Sequence, residues 1–449
     1  MPIEEADLIV VGAGQGGVPL AVDFAKAGKH VVLFERKHLG GTCVNVGCTP
    51  SKAFLASAHN AGRARAAAEI GVHCEITIDT RAIMRRVHEI QRDWHDGVER
   101  KLSDAGVHVV MGEARFVGER TLEAEGYTAH APIVVIDTGT SPACPPIDGL
   151  SDLPYLTNET FFELDDLPKS IVVIGGGYVG LELGQGMQRL GTDVTILETG
   201  SRLIPREDPD ATDVLAKALR DDGVDLRVGK SASCVSRGDK LCVRIEGGTE
   251  IETDAILVAA GRTPNTDALD CAKSGIELDE RKFVKVDQHL RTTCEGVYAL
   301  GEVAGQPAFT HVAWEDYRRV KAVIEGGTRT RDDRVLAYST FTEPQLGRVG
   351  MNGAEAKRKG RDVRVVTYPL DEDARGVEWN LTRGFYRLVV DAKSDAILGA
   401  TLVGYEAGEI VHTILAHMEA GSTWRVLERS VHIHPTFNEG LPSLARLLL

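Results

Sequence analysis

No run of this chain approaches the roughly 18 consecutive apolar residues that a membrane-spanning helix needs, so no membrane partner is expected. There is no low-complexity stretch and no linker long enough to serve as a free tether. Positive charge is in deficit, with 51 Lys and Arg against 66 Asp and Glu and a formal net charge of −15. A chain this acidic is a poor partner for nucleic acid or for anionic membrane surfaces. The eight cysteines are scattered over 449 residues without the paired spacing of a secreted disulfide scaffold. The first residues, Met1 to Asp7, are acidic and lack the basic region and apolar core of a signal peptide. These absences lead us to expect a cytoplasmic protein, in which paired cysteines are more often redox-active than structural.

The length allows two to four domains, and 43% hydrophobic and 26% charged residues are ordinary for a globular protein. Forty-eight glycines imply many tight turns or close backbone approaches. Some fall in a recognisable pattern. The apolar run Leu8 to Val11 ends in Gly12-Ala13-Gly14-Gln15-Gly16-Gly17, a helical pattern follows over Val18 to Ala27, and a second apolar run, Val31 to Phe34, ends at Glu35. This is a strand-helix-strand unit with GxGxxG at its first turn and an acid closing its second strand. The glycines let the backbone approach a pyrophosphate at a helix N-terminus, and the acid accepts hydrogen bonds from ribose hydroxyls. The pattern recurs in Ile171 to Ile174, Gly175-Gly176-Gly177-Tyr178-Val179-Gly180, and Asp193 to Leu197 ending at Glu198. One such fingerprint is weak evidence. Two complete copies imply two dinucleotide sites and electron transfer between them.

Just after the first unit comes Gly40-Gly41-Thr42-Cys43-Val44-Asn45-Val46-Gly47-Cys48-Thr49-Pro50-Ser51-Lys52. If Cys48 opens a helix, both sulfurs can lie within disulfide reach, and the helix N-terminus lowers the thiolate pKa. Such a pair can take electrons from a stacked cofactor and pass them to a second disulfide. Two buried structural cysteines, or half of a metal site, are the blander readings. The preceding fingerprint favours redox chemistry.

Asp137-Thr138-Gly139-Thr140-Ser141-Pro142 and Ala259-Ala260-Gly261-Arg262-Thr263-Pro264-Asn265 each follow an apolar strand and read as turns ending the two nucleotide-binding units. Arg63 to Leu102 reads as helical and charged, and the chain returns to the first domain through Val297 to Glu302. After about Arg329, alternation over 384–390 and 397–403 predicts antiparallel strands, with helical segments after them. The expected fold is α/β: two Rossmann-like domains, one formed by 1–150 with 271–329 and the other by 151–270, plus a C-terminal α+β domain over 330–449.

Taken in order, these landmarks resemble the flavin-dependent pyridine nucleotide-disulfide oxidoreductases over essentially the whole chain. The resemblance rests on Gly12-x-Gly14-x-x-Gly17 with Glu35, the Cys43/Cys48 motif, Gly175-x-Gly177-x-x-Gly180, Gly261-Arg262-x-Pro264-Asn265, the motif from Tyr298 to Glu302, and His432-Ile433-His434-Pro435-Thr436-Phe437-Asn438-Glu439. It implies FAD at the first fingerprint, with Thr42, Lys52, Ala114, Thr138, Gly139, Gly301 and Glu302 contributing. It implies NAD at the second, with Tyr178 as a gate, Glu198 on the ribose and Gly261 nearby. An acid at Glu198 repels a 2′-phosphate and favours NAD over NADP, although Arg202 and Arg206 follow close behind.

The resemblance further implies a homodimer with shared active sites. Cys43 is then the interchange thiol, Cys48 the thiol against the flavin, and His434 the acid/base oriented by Glu439. Lys52 and Glu182 match a pair near the flavin, and His432 reads as structural. One departure stands out: Glu302 replaces the aspartate usual in the family, so its ribityl contact must be re-spaced or mediated by water. No metal ligand set is implied. The tail from Gly440 to Leu449 has no cysteine, which disfavours mercury reduction and tail-thiol thioredoxin reduction. The complete cysteine pair disfavours transhydrogenation, and Glu198 disfavours an NADPH-dependent glutathione reductase. Dihydrolipoamide dehydrogenation is the leading expectation, with a small dithiol or a lipoyl-bearing protein as substrate. A reductase of another disulfide, a quinone or a metal ion is the enzymatic alternative, and a complex-bound redox sensor the non-catalytic one.

Overall fold

The computed structural model describes residues 3–449; Met1 and Pro2, the start of the acidic N-terminal segment, lie outside the described residues. The chain begins with strands β1 (Glu4–Glu5) and β2 (Leu8–Val11), helix α1 (Gly17–Lys26) and strand β3 (Val31–Glu35). Three helices follow, α2 (Gly41–Asn45), α3 (Cys48–Ala66) and α4 (Thr80–Asp104), and then strand β4 (His108–Met111). Strands β2, β3 and β4 lie in a five-stranded parallel sheet with Ile133–Ile136 and Val297–Ala299. Val297–Ala299 is the outermost strand on the side of Ile133–Ile136, so the chain returns to this sheet after the intervening unit.

Parallel strands covered on both faces must be apolar on both faces. Leu8, Ile9, Val10, Val31, Val32 and Leu33 are accordingly fully buried. Each such side chain contributes about 1.5–3 kcal/mol relative to exposure, which fixes the register Leu8↔Val31 to Val11↔Phe34.

A second parallel sheet has the order Asp225–Val228, Asp193–Glu198, Ser170–Ile174, Ala255–Val258. The C-terminal region builds a five-stranded antiparallel sheet in which Phe385–Asp391 pairs with Val363–Pro369 on one side and Ile397–Gly404 on the other. Helices Ala407–Glu419, Trp424–Arg429 and Gly440–Arg446 follow it. Among the described residues no helix is long and apolar enough to cross a membrane.

The helix read over Arg63 to Leu102 is corrected. α3 stops at Ala66, a short 3-10 turn covers Ala67–Ile70, and Gly71 takes a φ of 83°. The chain then runs without regular structure to Asp79, whose carboxylate accepts from the Ala82 N–H and caps α4. The left-handed glycine ends one helix and the aspartate N-cap starts another, so one charged stretch becomes two packed helices.

Candidate functional site

Each parallel sheet ends in a glycine turn built the same way. Gly12 has a φ of 105°, and a Cβ there would stand 2.3 Å from the Asp137 carbonyl oxygen. A Cβ on Gly17 would meet the Gly12 carbonyl oxygen at 2.2 Å. In the second copy Gly175 has a φ of 119°, and a Cβ on Gly180 would meet the Gly175 carbonyl oxygen at 2.1 Å. Only glycine permits these turns and this approach of helix to strand.

The terminal acids act alike. Glu35 accepts from the N–H of Ala13 at 2.8 Å and of Lys37 at 2.8 Å. Glu198 accepts from Gly176 at 2.7 Å and from Gly200 at 2.6 Å. Each carboxylate ties its glycine turn to the residues after the second strand and keeps lone pairs for a ribose. Arg206 lies over the rings of Tyr178, Phe309 and Tyr338, 4.8 to 5.9 Å from their centroids, while Arg202 donates to the Pro205 carbonyl.

A cavity of about 760 Å³ opens at the C-terminal ends of the first sheet's strands. Glu35, Ala114, Gly12, Gly14, Thr42, Thr138 and Gly139 line it, as do Cys43, Cys48, Lys52, Tyr178, Glu182 and Glu302. Ligands in open α/β sheets bind outside these strand ends. The size of the cavity and its bare glycine backbone fit an FAD. Of the second set, Tyr178 reaches this cavity, whereas Gly175, Gly177, Gly180, Glu198 and Gly261 do not line it. Gly177 and Gly261 have open space where a Cβ would be.

Cys48 is the first residue of the 19-residue helix α3, and Cys43 lies in α2. Both are free thiols in this structure. The Cys48 thiol is pulled down from its ordinary 9.0 to about 6, first by a hydrogen bond from the Cys43 thiol and further by Thr310 and the Lys52 charge. The Thr310 hydroxyl lies 3.1 Å from the Cys48 sulfur. Cys43 is pushed the other way, because losing its proton would remove the hydrogen bond to Cys48. The reduced pair therefore holds one thiolate, on Cys48, with the proton on Cys43. The N-terminus of α3 favours the same distribution. Lys52, one turn along α3, donates to Glu182 at 2.7 Å and sits 4.4 Å from the centroid of the Phe341 ring. Glu182 is pinned in turn by the Phe341 N–H at 2.9 Å.

Glu302 does not reach out alone. Its carboxylate accepts from Arg262 at 3.0 Å and from the Thr140 hydroxyl. The extra methylene carries it to the guanidinium of the motif that ends the second nucleotide-binding unit. Arg262–Pro264 pairs antiparallel with Thr140–Pro142, and Asn265 donates to the Thr138 carbonyl at 2.8 Å. These contacts clasp the two turns together beside Gly139 and Gly301. Asp137, quoted in the sequence only as part of a turn, is buried and accepts from the Gly17 N–H at 2.7 Å. Burial pushes its carboxyl up to about 8. The sequence carried no signal for Thr310 or for the aromatic stack of Tyr178, Phe309 and Tyr338.

His434 is not brought to the cysteines of its own chain: it does not line the cavity, and its side chain is 71% exposed. Its Nδ1 lies 2.9 Å from a Glu439 carboxylate oxygen, so Nδ1 carries the proton and Nε2 is left as an outward-facing base. Val431 and Ile433 beside it are 98% and 79% exposed, an apolar edge that needs a cover. His432 is less exposed, and its Nδ1 has no partner.

The family described as pyridine nucleotide-disulphide oxidoreductase matches residues 6–316, and its dimerisation domain matches residues 336–445. The chain is 36% identical over 459 residues to a dihydrolipoyl dehydrogenase of Thermus scotoductus, covering 98% of this chain and 97% of that protein. It is 34% identical over 450 residues to a probable pyridine nucleotide-disulfide oxidoreductase, RclA, of Escherichia coli, covering 98% of each. It is 32% identical over 442 residues to a mercuric reductase of Bacillus cereus, covering 97% of this chain and 70% of that protein. Among solved structures, a Cu(II) complex of the HOCl-induced flavoprotein disulfide reductase RclA of Escherichia coli superposes with a TM-score of 0.91 at 32% identity, each chain covered in full.

Proposed function

The chain belongs to the pyridine nucleotide-disulphide oxidoreductases, which use FAD and NAD(P)H, and from that premise we propose that it is a dithiol-disulfide oxidoreductase whose leading substrate is a dihydrolipoyl group. The observation that carries this reading is the Cys43/Cys48 pair lining the large cavity beside the first glycine turn, with Cys48 polarised toward thiolate. We take 1–150 with 271–329 as the FAD-binding part, 151–270 as the NAD-binding part and 330–449 as the interface part.

In this reading a second copy of the chain covers the apolar edge around Ile433 and brings His434 to the cysteines. Nε2 of His434 of the partner subunit takes a proton from one substrate thiol. That sulfur attacks Cys43, the Cys43–Cys48 bond breaks, and Cys48 leaves as thiolate, held by Thr310 and Lys52. The second substrate thiol then attacks the first substrate sulfur, closing the substrate disulfide, and its proton passes to Cys43 as that sulfur leaves. Bound FAD supplies the two-electron relay from this dithiol to NAD⁺. Lys52, neutralised in part by Glu182, holds positive charge where the reduced ring needs it.

A second reading, reduction of a metal ion or another small disulfide with NADH, is favoured by the similarity to RclA, one of whose structures is a Cu(II) complex, and to mercuric reductases. The test is NADH formation from dihydrolipoamide and NAD⁺, run beside NADH oxidation with Cu(II) or oxidised glutathione as acceptor. Fast dihydrolipoamide turnover, lost in Cys43→Ser, supports the first reading. Turnover only with the acceptors supports the second.

A further inference from the structure

Away from the cavity, one group of three metal-ligating side chains converges among the described residues, at the opposite end of the first sheet. Glu4 stands on β1, His30 immediately precedes β3 and His108 opens β4. One Glu4 carboxylate oxygen lies 3.2 Å from His30 Nε2 and 3.5 Å from His108 Nδ1. All three donor atoms lie within 4.8 Å of one another. Bonds of about 2.0–2.1 Å in a tetrahedral zinc site place neighbouring ligand atoms about 3.3–3.4 Å apart. Two of the three edges are thus already at that separation.

The surroundings of His30 aim its Nε2 as a ligating nitrogen is aimed. His30 Nδ1 lies 3.0 Å from the Glu5 carbonyl oxygen, which only accepts, so Nδ1 carries the proton and Nε2 turns its lone pair to Glu4. A ring nitrogen donating to a backbone carbonyl is the usual support of a ligating imidazole. The His30 N–H is itself held by the Asp7 carboxylate at 2.8 Å. Tyr127 meets the His108 ring edge-on at 5.0 Å between centroids, with its hydroxyl 3.1 Å from Nδ1.

We propose that Glu4, His30 and His108 bind one borderline divalent cation of the zinc class, which staples β1 to the sheet. Two imidazoles with a carboxylate suit zinc, copper or nickel better than magnesium or calcium. The staple has a structural purpose: β1 is only two residues long and pairs through Glu4↔Ala129 and Glu5↔His130, and a short terminal strand frays unless tied down. The site lies at the strand ends away from the cysteines, so the ion takes no part in their chemistry.

The test uses the FAD-loaded enzyme, stripped with chelator and kept oxidised so that Cys43 and Cys48 are sequestered as a disulfide. Calorimetric titration with zinc at pH 7.5 is expected to show one ion per chain, together with a higher thermal midpoint. His30→Ala and His108→Phe, the latter keeping a ring against Tyr127, each lower the affinity by more than the roughly 10–100-fold that loss of an outer-shell partner costs. His289→Ala, remote from the site, binds as the wild type does. Absence of zinc binding in the wild type, or equal binding in the His30 and His108 variants with normal flavin content, overturns the proposal.

Discussion

The polarisation of the cysteine pair is open to direct measurement. In the reduced protein the Cys48 thiol falls from 9.0 to about 6. One pH unit corresponds to about 1.36 kcal/mol of preference for the thiolate. The first cause is the hydrogen bond from Cys43, and a hydrogen bond to a charged group is worth about 1.5–3 kcal/mol. Removing it in Cys43→Ala therefore raises the Cys48 midpoint by about one to two pH units, to between about 7 and 8. Cys43→Ser keeps a donor and moves it less. Thr310→Val removes the hydroxyl 3.1 Å from the sulfur and gives a smaller rise in the same direction. The assay is the ultraviolet absorbance of the thiolate against pH, with the Cys48→Ser protein subtracted. The sign is fixed: the signal grows as pH rises through about 6 in the wild type and through a higher pH in the variants. A wild-type midpoint near that of a free thiol, or a Cys43→Ala midpoint unchanged from wild type, refutes the argument.

Three further outcomes are expected. Asp137, with a carboxyl at about 8 in the fold and 3.8 unfolded, holds a proton in the native state that the unfolded chain has released. Stability therefore falls as pH rises between those values, by about 1.4 kcal/mol per pH unit at most. Asp137→Asn flattens this fall in thermal midpoints taken from pH 5 to 8, and equal falls in the two proteins would sink the assignment. Glu198→Gln keeps an acceptor for only one of the Gly176 and Gly200 N–H groups, which reach different carboxylate oxygens, and removes the charge. Two like charges 4 Å apart at an effective dielectric of 20 repel by about 4 kcal/mol, so the preference for NADH over NADPH narrows by about tenfold or more; an unchanged ratio of kcat/KM excludes Glu198 from ribose selection. Cys43→Ser and His434→Gln chains, each inactive alone, recover about a quarter of wild-type activity when subunits are mixed, because half the dimers then contain one intact shared site; no recovery means that His434 does not serve a neighbouring chain.

What the sequence showed well was what local periodicity and glycine spacing encode. Both strand-turn-helix-strand units fall within a residue or so of their expected limits, because buried parallel strands must be continuous apolar runs and their glycine turns tolerate no Cβ. Cys48 opening α3 was readable for the same reason: Gly47 precedes it and Pro50 sits in the first turn, where a missing N–H costs nothing. The break between α3 and α4 was not, since Gly71 and Asp79 punctuate a stretch whose charges read equally well as one long helix.

The contacts that couple the units were out of reach for a different reason. Arg262 meets Glu302 across 40 positions and Asp137 meets Gly17 across 120, and no spacing rule connects such residues. Glu302 shows the consequence. One added methylene read as a re-spaced cofactor contact, and in the fold it reaches the arginine of the other unit and the hydroxyl of Thr140. The substitution thereby joins the turn that ends the first unit, the turn that ends the second, and the strand-end at Gly301 through a single carboxylate. A shorter aspartate at 302 would have to draw Arg262 inward or give up that junction, so at this position chain length couples the two nucleotide-binding units rather than merely spacing a ligand.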